Sequence, residues 1–176
     1  MFGFERTAYD KKVYEEQLKD FLPETFIDIH THIWKKEFDG QDHTKGCVSW
    51  TKLVAADCTA EDLFQTNRDM FPGKKVIPVL MGQPMSNVYQ TNEYTEECSR
   101  KYGLPAFFCT DYTMSGEYLE EQVKKGGFIG LKPYLNNSPQ YIPSNEIRIY
   151  DFLTPEHLEA ANKNGWIVML HIDRPG

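Results

Sequence analysis

The 176-residue chain is 40% hydrophobic and 26% charged, a balance that fits one ordinary globular domain with a sizeable core and excludes a disordered polymer. Its net charge of −7, with no block of Lys and Arg, argues against nucleic acid as a partner, and no apolar run approaches the ~20 residues of a membrane helix. The opening "MFGFERTAYDKK" mixes both charge signs and suits no secretory signal, so a cytoplasmic location is expected.

Residues 1–25 read as an N-terminal helical arm, with an amphipathic helix from about Tyr9 to Phe21 closed by Pro23. "TFIDI" then predicts a strand running into His30. The segment from Trp34 to Cys58 is long, polar and irregular, the kind of loop that is commonly functional. From there the chain alternates. Thr59 caps a helix over "AEDLFQTNRDMF", stopped by Pro72 and Gly73, and "KVIPVLMG" is a strand. "TNEYTEECSRKYG" is a helix ending at Gly103, and "LPAFFCTDY" a strand. Ser115 caps "GEYLEEQVKKGG", with acids early and lysines late as the helix dipole prefers, before the strand "FIGLKPYL". Thr154 caps a helix with Pro155 at its first position and Gly165 at its end, and "WIVMLH" closes the series.

Strand and helix in alternation, with strands that read as buried on both faces, predict a parallel sheet covered by helices, either an open doubly wound sheet or a barrel. No G-x-G-x-x-G follows the first strand and no phosphate-binding G-x-x-x-x-G-K-[ST] occurs, so nucleotide-binding versions lose weight. The four cysteines show no C-x-x-C spacing and read as buried free thiols.

The chemistry-bearing residues fall at predicted strand ends. In a strand, residues two apart share a face and lie about 6.5–7 Å apart. His30 and His32 are therefore expected to project together, with Phe26 and Asp28 on the same side and Ile27, Ile29 and Thr31 on the other. Two imidazoles at the C-terminal end of a parallel strand can share one metal ion, and that end is where parallel α/β folds build their sites. A chance H-x-H, with one ring packed and one solvated, is the plain alternative. Lys132 lies within or at the end of an apolar strand, where an unpaired ammonium is costly; an ordinary lysine paired with a carboxylate is its alternative reading. His171 ends "WIVMLH". Trp34 and Tyr134 stand where they could wall a substrate pocket, or simply pack. Asp111 has a similar place after a strand. His157, in the first turn of a capped helix, reads as a surface residue, and His43, Asp173 and Arg174 read as exposed loop positions within reach of a substrate.

"FIDIHTHIW", "GFIGLKPYL" and "EAANKNGWIVMLHI" together resemble the amidohydrolase superfamily, in its amidohydrolase-related branch of metal-dependent hydrolases. The resemblance runs from about Phe26 to the end and implies that residues 26–176 are the N-terminal portion of a (β/α) TIM-type barrel, incomplete here at about five of eight strands. It implies a divalent metal, zinc by preference, on His30, His32 and His171. Lys132 would be catalytic, bridging a second metal as a carbamate. The implied reaction is attack of metal-activated water on an amide, lactone or ester carbonyl of a small molecule. A non-oxidative decarboxylase of the same superfamily and an inactive metal-binding half-barrel are the alternatives. The family's sixth-strand histidine and eighth-strand aspartate have no counterpart in the chain, which is accordingly expected to be part of a longer enzyme or to be completed by another copy, a homo-oligomer.

Overall fold

A computed structural model describes residues 5–39, 54–84 and 86–171; His43, Cys47, Asp173 and Arg174 lie outside them. The arm opens with α1 (Ala8–Val13), whose cap Thr7 exchanges hydrogen bonds with Asp10, and the helix widens into a π-helical turn over Tyr14–Leu18. It is pinned by one aromatic. The buried Tyr14 donates its hydroxyl to Pro72 O at 2.6 Å and packs edge-on against Phe71, which also meets Phe26 edge-on.

Five parallel strands follow in chain order. They are β1 (Thr25–His32), β2 (Lys75–Met81), β3 (Phe107–Thr110), β4 (Gly130–Pro133) and β5 (Ile167–Val168). β1 pairs with β2, and β3, β4 and β5 pair in sequence. A parallel bridge between Leu80 and Ala106, with Leu80 N donating to Pro105 O at 2.9 Å, joins the two sheets edge to edge. Among the described residues the sheet does not close into a barrel.

The crossovers carry α2 (Ala60–Met70), α3 (Val88–Tyr102), α4 (Gly116–Gly126), a short α5 (Ile149–Phe152) and α6 (Pro155–Asn164). Each of the longer four starts where the sequence supplies a side-chain acceptor. Thr59 forms a capping box with Asp62, Asn87 accepts from Tyr89 N and Gln90 N, and Ser115 and Thr154 each accept from the third helical N–H. The left-handed Gly103 (φ 64°) ends α3.

All four long helices lie on one side of the sheet. Ala60 and Leu63 of α2, Tyr94 and Cys98 of α3, Leu119 and Val123 of α4 and Ala161 of α6 form a single core with Leu80, Phe108 and Leu131. The alternate strand residues Val79, Met81 and Phe107, with Ile129 and Met169, form a second cluster to which no helix contributes. β3 and β4 are buried throughout and β2 in its second half, but β1 and β5 are more open: Ile27 and Ile29 are 63% and 46% exposed and Ile167 46%. β1 is an edge strand, and its exposed Ile27 and Ile29 have no cover among the described residues.

A β-bulge in β1 corrects the expected side-chain alternation. Asp28 pairs with Pro78 and Thr31 with Leu80, so Ile29 and His30 together stand against the single residue Val79. Pro78 has no N–H to give the ladder, and the register slips just after it. Asp28 Oδ1 takes up His30 N at 3.1 Å. Partners in a parallel ladder share a face. His32, opposite Met81, is thus on the helix-free face together with Ile27, opposite Ile77, whereas Phe26 and Asp28 belong to the other face. Thr31 and Ile33 turn toward the helices, Thr31 donating its hydroxyl to Val79 O at 2.6 Å.

Candidate functional site

The bulge sets the two histidines of β1 ring to ring. Their Nε2 atoms are 3.0 Å apart and their ring centroids 4.9 Å. Lys132, in β4, reaches across the helix-free face and places Nζ 3.3 Å from His30 Nε2. Three nitrogens contributed by the first and fourth strands thereby converge, although 102 residues separate His30 from Lys132.

His32 is held from behind. Its Nδ1 lies 2.9 Å from Gly82 O and 3.3 Å from the Tyr134 hydroxyl, which itself donates to Gly82 O. Gly82 sits where β2 ends against α3, and a Cβ there would overlap the side chain of Thr91. The carbonyl that orients His32 is brought into place by a residue without a side chain. Tyr134 is the hub of the cluster. It is buried, its ring lies 5.4 Å from that of His171 and 6.4 Å from that of His32, and Lys132 Nζ stands 5.3 Å from its centroid.

Burial dominates the electrostatics. It lowers His32 to about 4, against the Gly82 hydrogen bond and with help from the charges of His30, Lys132 and His171. His30 is lowered for the same first reason, then by Lys132, with Asp28 opposing. Lys132 is fully buried and is brought down to about 8 by desolvation. No carboxylate is paired with it among the described residues. Cys109, its neighbour across the ladder, is pushed up to about 12 and stays a thiol. The two imidazoles are therefore lone-pair donors with little charge near neutral pH, while Lys132, at about 8, remains largely an ammonium there.

Other expected residues are placed differently. His171 follows β5 by three residues, beside Tyr134. Among the described residues no three His, Cys, Asp or Glu side chains are gathered closely enough to hold one ion, so His171 does not complete a trio with His30 and His32 here. Trp34 bridges Cys58 in antiparallel fashion and donates Nε1 to Ala56 O at 3.1 Å, so it is engaged with the residues just before α2. Asp111 accepts from Thr113 in a turn of its own. His157 is not a surface residue. It is fully buried, with Nε2 2.7 Å from Met114 O, because α6 packs its first turn against the β3–α4 connection. Cys58, Cys98 and Cys109 are buried and free.

Sequence reading missed Gly82 and the polar layer beside it, in which Asn136 donates to Pro84 O and Asn137 to Thr110 O at 2.7 Å, tying the ends of β2, β3 and β4 together. The doublet Asn136-Asn137 in an otherwise buried stretch was the available signal. Compared with family models, curated proteins and solved structures, the chain matches none of them.

Proposed function

We propose that this chain carries the metal-binding face of a metal-dependent hydrolase of the amidohydrolase type, acting on an amide, lactone or ester bond of a small molecule. The observation that carries this reading is the approach of His30 Nε2 to His32 Nε2 at 3.0 Å. Two imidazoles on one tetrahedral zinc, at ~2.0–2.1 Å each, hold their nitrogens about 3.3 Å apart, so the pair already has nearly the spacing of shared ligands. The donor chemistry fits as well: His32 is held neutral chiefly by burial, and the more exposed His30 by partial burial and the nearby Lys132, and ligation requires neutral imidazoles.

The topology supports a barrel over a doubly wound sheet. Among the described residues strand order follows chain order without a switch point, and the helices cover one face, as in five consecutive units of a (β/α) barrel. His32 ends its strand, His171 lies beyond its own, and His30 and Lys132 stand in the C-terminal halves of theirs, toward the end where such barrels carry their chemistry.

His30 and His32 would hold the ion through Nε2. Lys132 would join only as a carbamate, and burial that brings its amine down to about 8 raises the neutral fraction which that conversion needs. When bound, the metal supplies Lewis acidity and a water of lowered pKa. The remaining work belongs to the chain: Gly82 O keeps the His32 proton on Nδ1, and the helix-free apolar face, with Ile27 and Ile29, offers the surface on which a small carbonyl substrate would lie.

Zinc-loaded protein assayed with aryl esters, lactones and anilides tests the reading. Turnover that requires both zinc and His32 is expected. Turnover unchanged in His32→Ala would overturn it, release of CO₂ without hydrolysis would mark a decarboxylase, and zinc binding without turnover would leave an inactive metal-binding scaffold.

A further inference from the structure

We propose that Tyr134 is a positioning residue for His32, fixing through its hydroxyl which ring nitrogen is left bare. The phenol has one hydrogen, and that hydrogen goes to Gly82 O. What it turns toward His32 Nδ1, 3.3 Å away, is an oxygen lone pair. The other neighbour of Nδ1 is Gly82 O at 2.9 Å, which can only accept. Nδ1 thus faces two acceptors and no donor, and the stable arrangement puts the ring hydrogen there. Nε2, aimed at His30 Nε2 at 3.0 Å, is left as a lone pair.

The packing around Tyr134 makes that arrangement rigid. The side chain is buried, burial keeps its hydroxyl protonated by raising it well above the ordinary phenol value, and its ring is fixed against His171. Gly82 itself lies so close to Thr91 of α3 that a Cβ there would overlap the threonine side chain. Outer contacts of this kind, aimed at the far nitrogen of a ligating imidazole, commonly change metal affinity 10–100-fold. The inference rests on the proposed metal reading only for its affinity arm; the tautomer arm stands on the apo protein.

The test uses the full chain and its Tyr134→Phe variant, which keeps the ring and removes the hydroxyl. Long-range proton–nitrogen NMR on ¹⁵N-histidine-labelled apo protein at pH 7.5 reads the His32 tautomer. Competition against a chromophoric chelator reads zinc affinity. In the parent chain His32 is expected as the Nδ1–H form; in Tyr134→Phe its Nε2–H fraction rises and zinc affinity falls about 10-fold. A parent His32 found mainly as the Nε2–H form overturns the inference without any variant. So does a Tyr134→Phe spectrum identical to the parent's. A parent chain that binds no zinc, yet shows the tautomer shift in the variant, removes the metal reading and keeps the role of Tyr134. A purely structural role would lower stability and leave the tautomer unmoved.

Discussion

Acid should destabilise this protein through His32, and the size of the effect follows from the ring's surroundings. In the unfolded chain His32 takes up its proton near 6.5; in the folded chain burial against Gly82 and Tyr134 delays that to about 4. Between those values the unfolded state binds the proton and the native state does not, so falling pH favours unfolding. The stability is fully present above pH 6.5, declines as pH drops through the window, and levels off below about 4. At ~1.4 kcal/mol per pH unit, the whole window amounts to about 3 kcal/mol. His32→Gln, which cannot titrate, isolates this contribution, because the carboxylates and the other histidines remain in both proteins. Urea unfolding in EDTA at half-unit steps from pH 7.5 to 4 measures it. The parent curve should fall more steeply than the variant's, the gap changing by about 3 kcal/mol across the series. Parallel curves would mean that His32 is solvated and freely protonated in the fold, and the tight ring geometry would be wrong.

Two further outcomes follow from packing. Gly130→Ala places a methyl group on the backbone of Ile167, where β4 and β5 run side by side; it should cost about 1–3 kcal/mol in urea unfolding, and a loss below about 0.5 kcal/mol would place β5 elsewhere. Lys132→Met keeps the stem and removes a buried amine that has no carboxylate partner among the described residues. It should stabilise the apo protein by about 1–3 kcal/mol at pH 7 while abolishing any rise in metal loading on adding bicarbonate. A destabilised variant would reveal an anion beside Lys132, and a bicarbonate response unchanged by the substitution would exclude a carbamate there.

The sequence was most legible where punctuation is local. Thr59, Ser115 and Thr154 start their helices, and Gly103 and Gly165 end theirs, because a cap needs only neighbours three or four residues away. The parallel α/β layout followed from the same alternation. The bulge in β1 was not legible, since it depends on Pro78, a residue 50 positions beyond Asp28 that meets it only in the folded sheet. The expected grouping of Asp28 and Phe26 with the histidines failed for that reason. His157 shows the same limit. A histidine in a first helical turn looks solvent-facing until α6 docks on the β3–α4 connection and Met114 O takes its Nε2. Lys132 was visible as an anomaly, a lysine inside an apolar run, and the structure gives the anomaly a neighbour in His30. The role of Gly82 had no sequence signature, because a backbone carbonyl leaves none.

The central claim, that His30 and His32 form a metal-binding pair, is tested most directly by titrating the apo protein, His30→Ala and His32→Ala with zinc against a chromophoric chelator. The parent chain should take up about one equivalent, and each variant should bind at least about 100-fold more weakly. A parent chain that does not compete for zinc, or variants that compete as well as the parent, would contradict it.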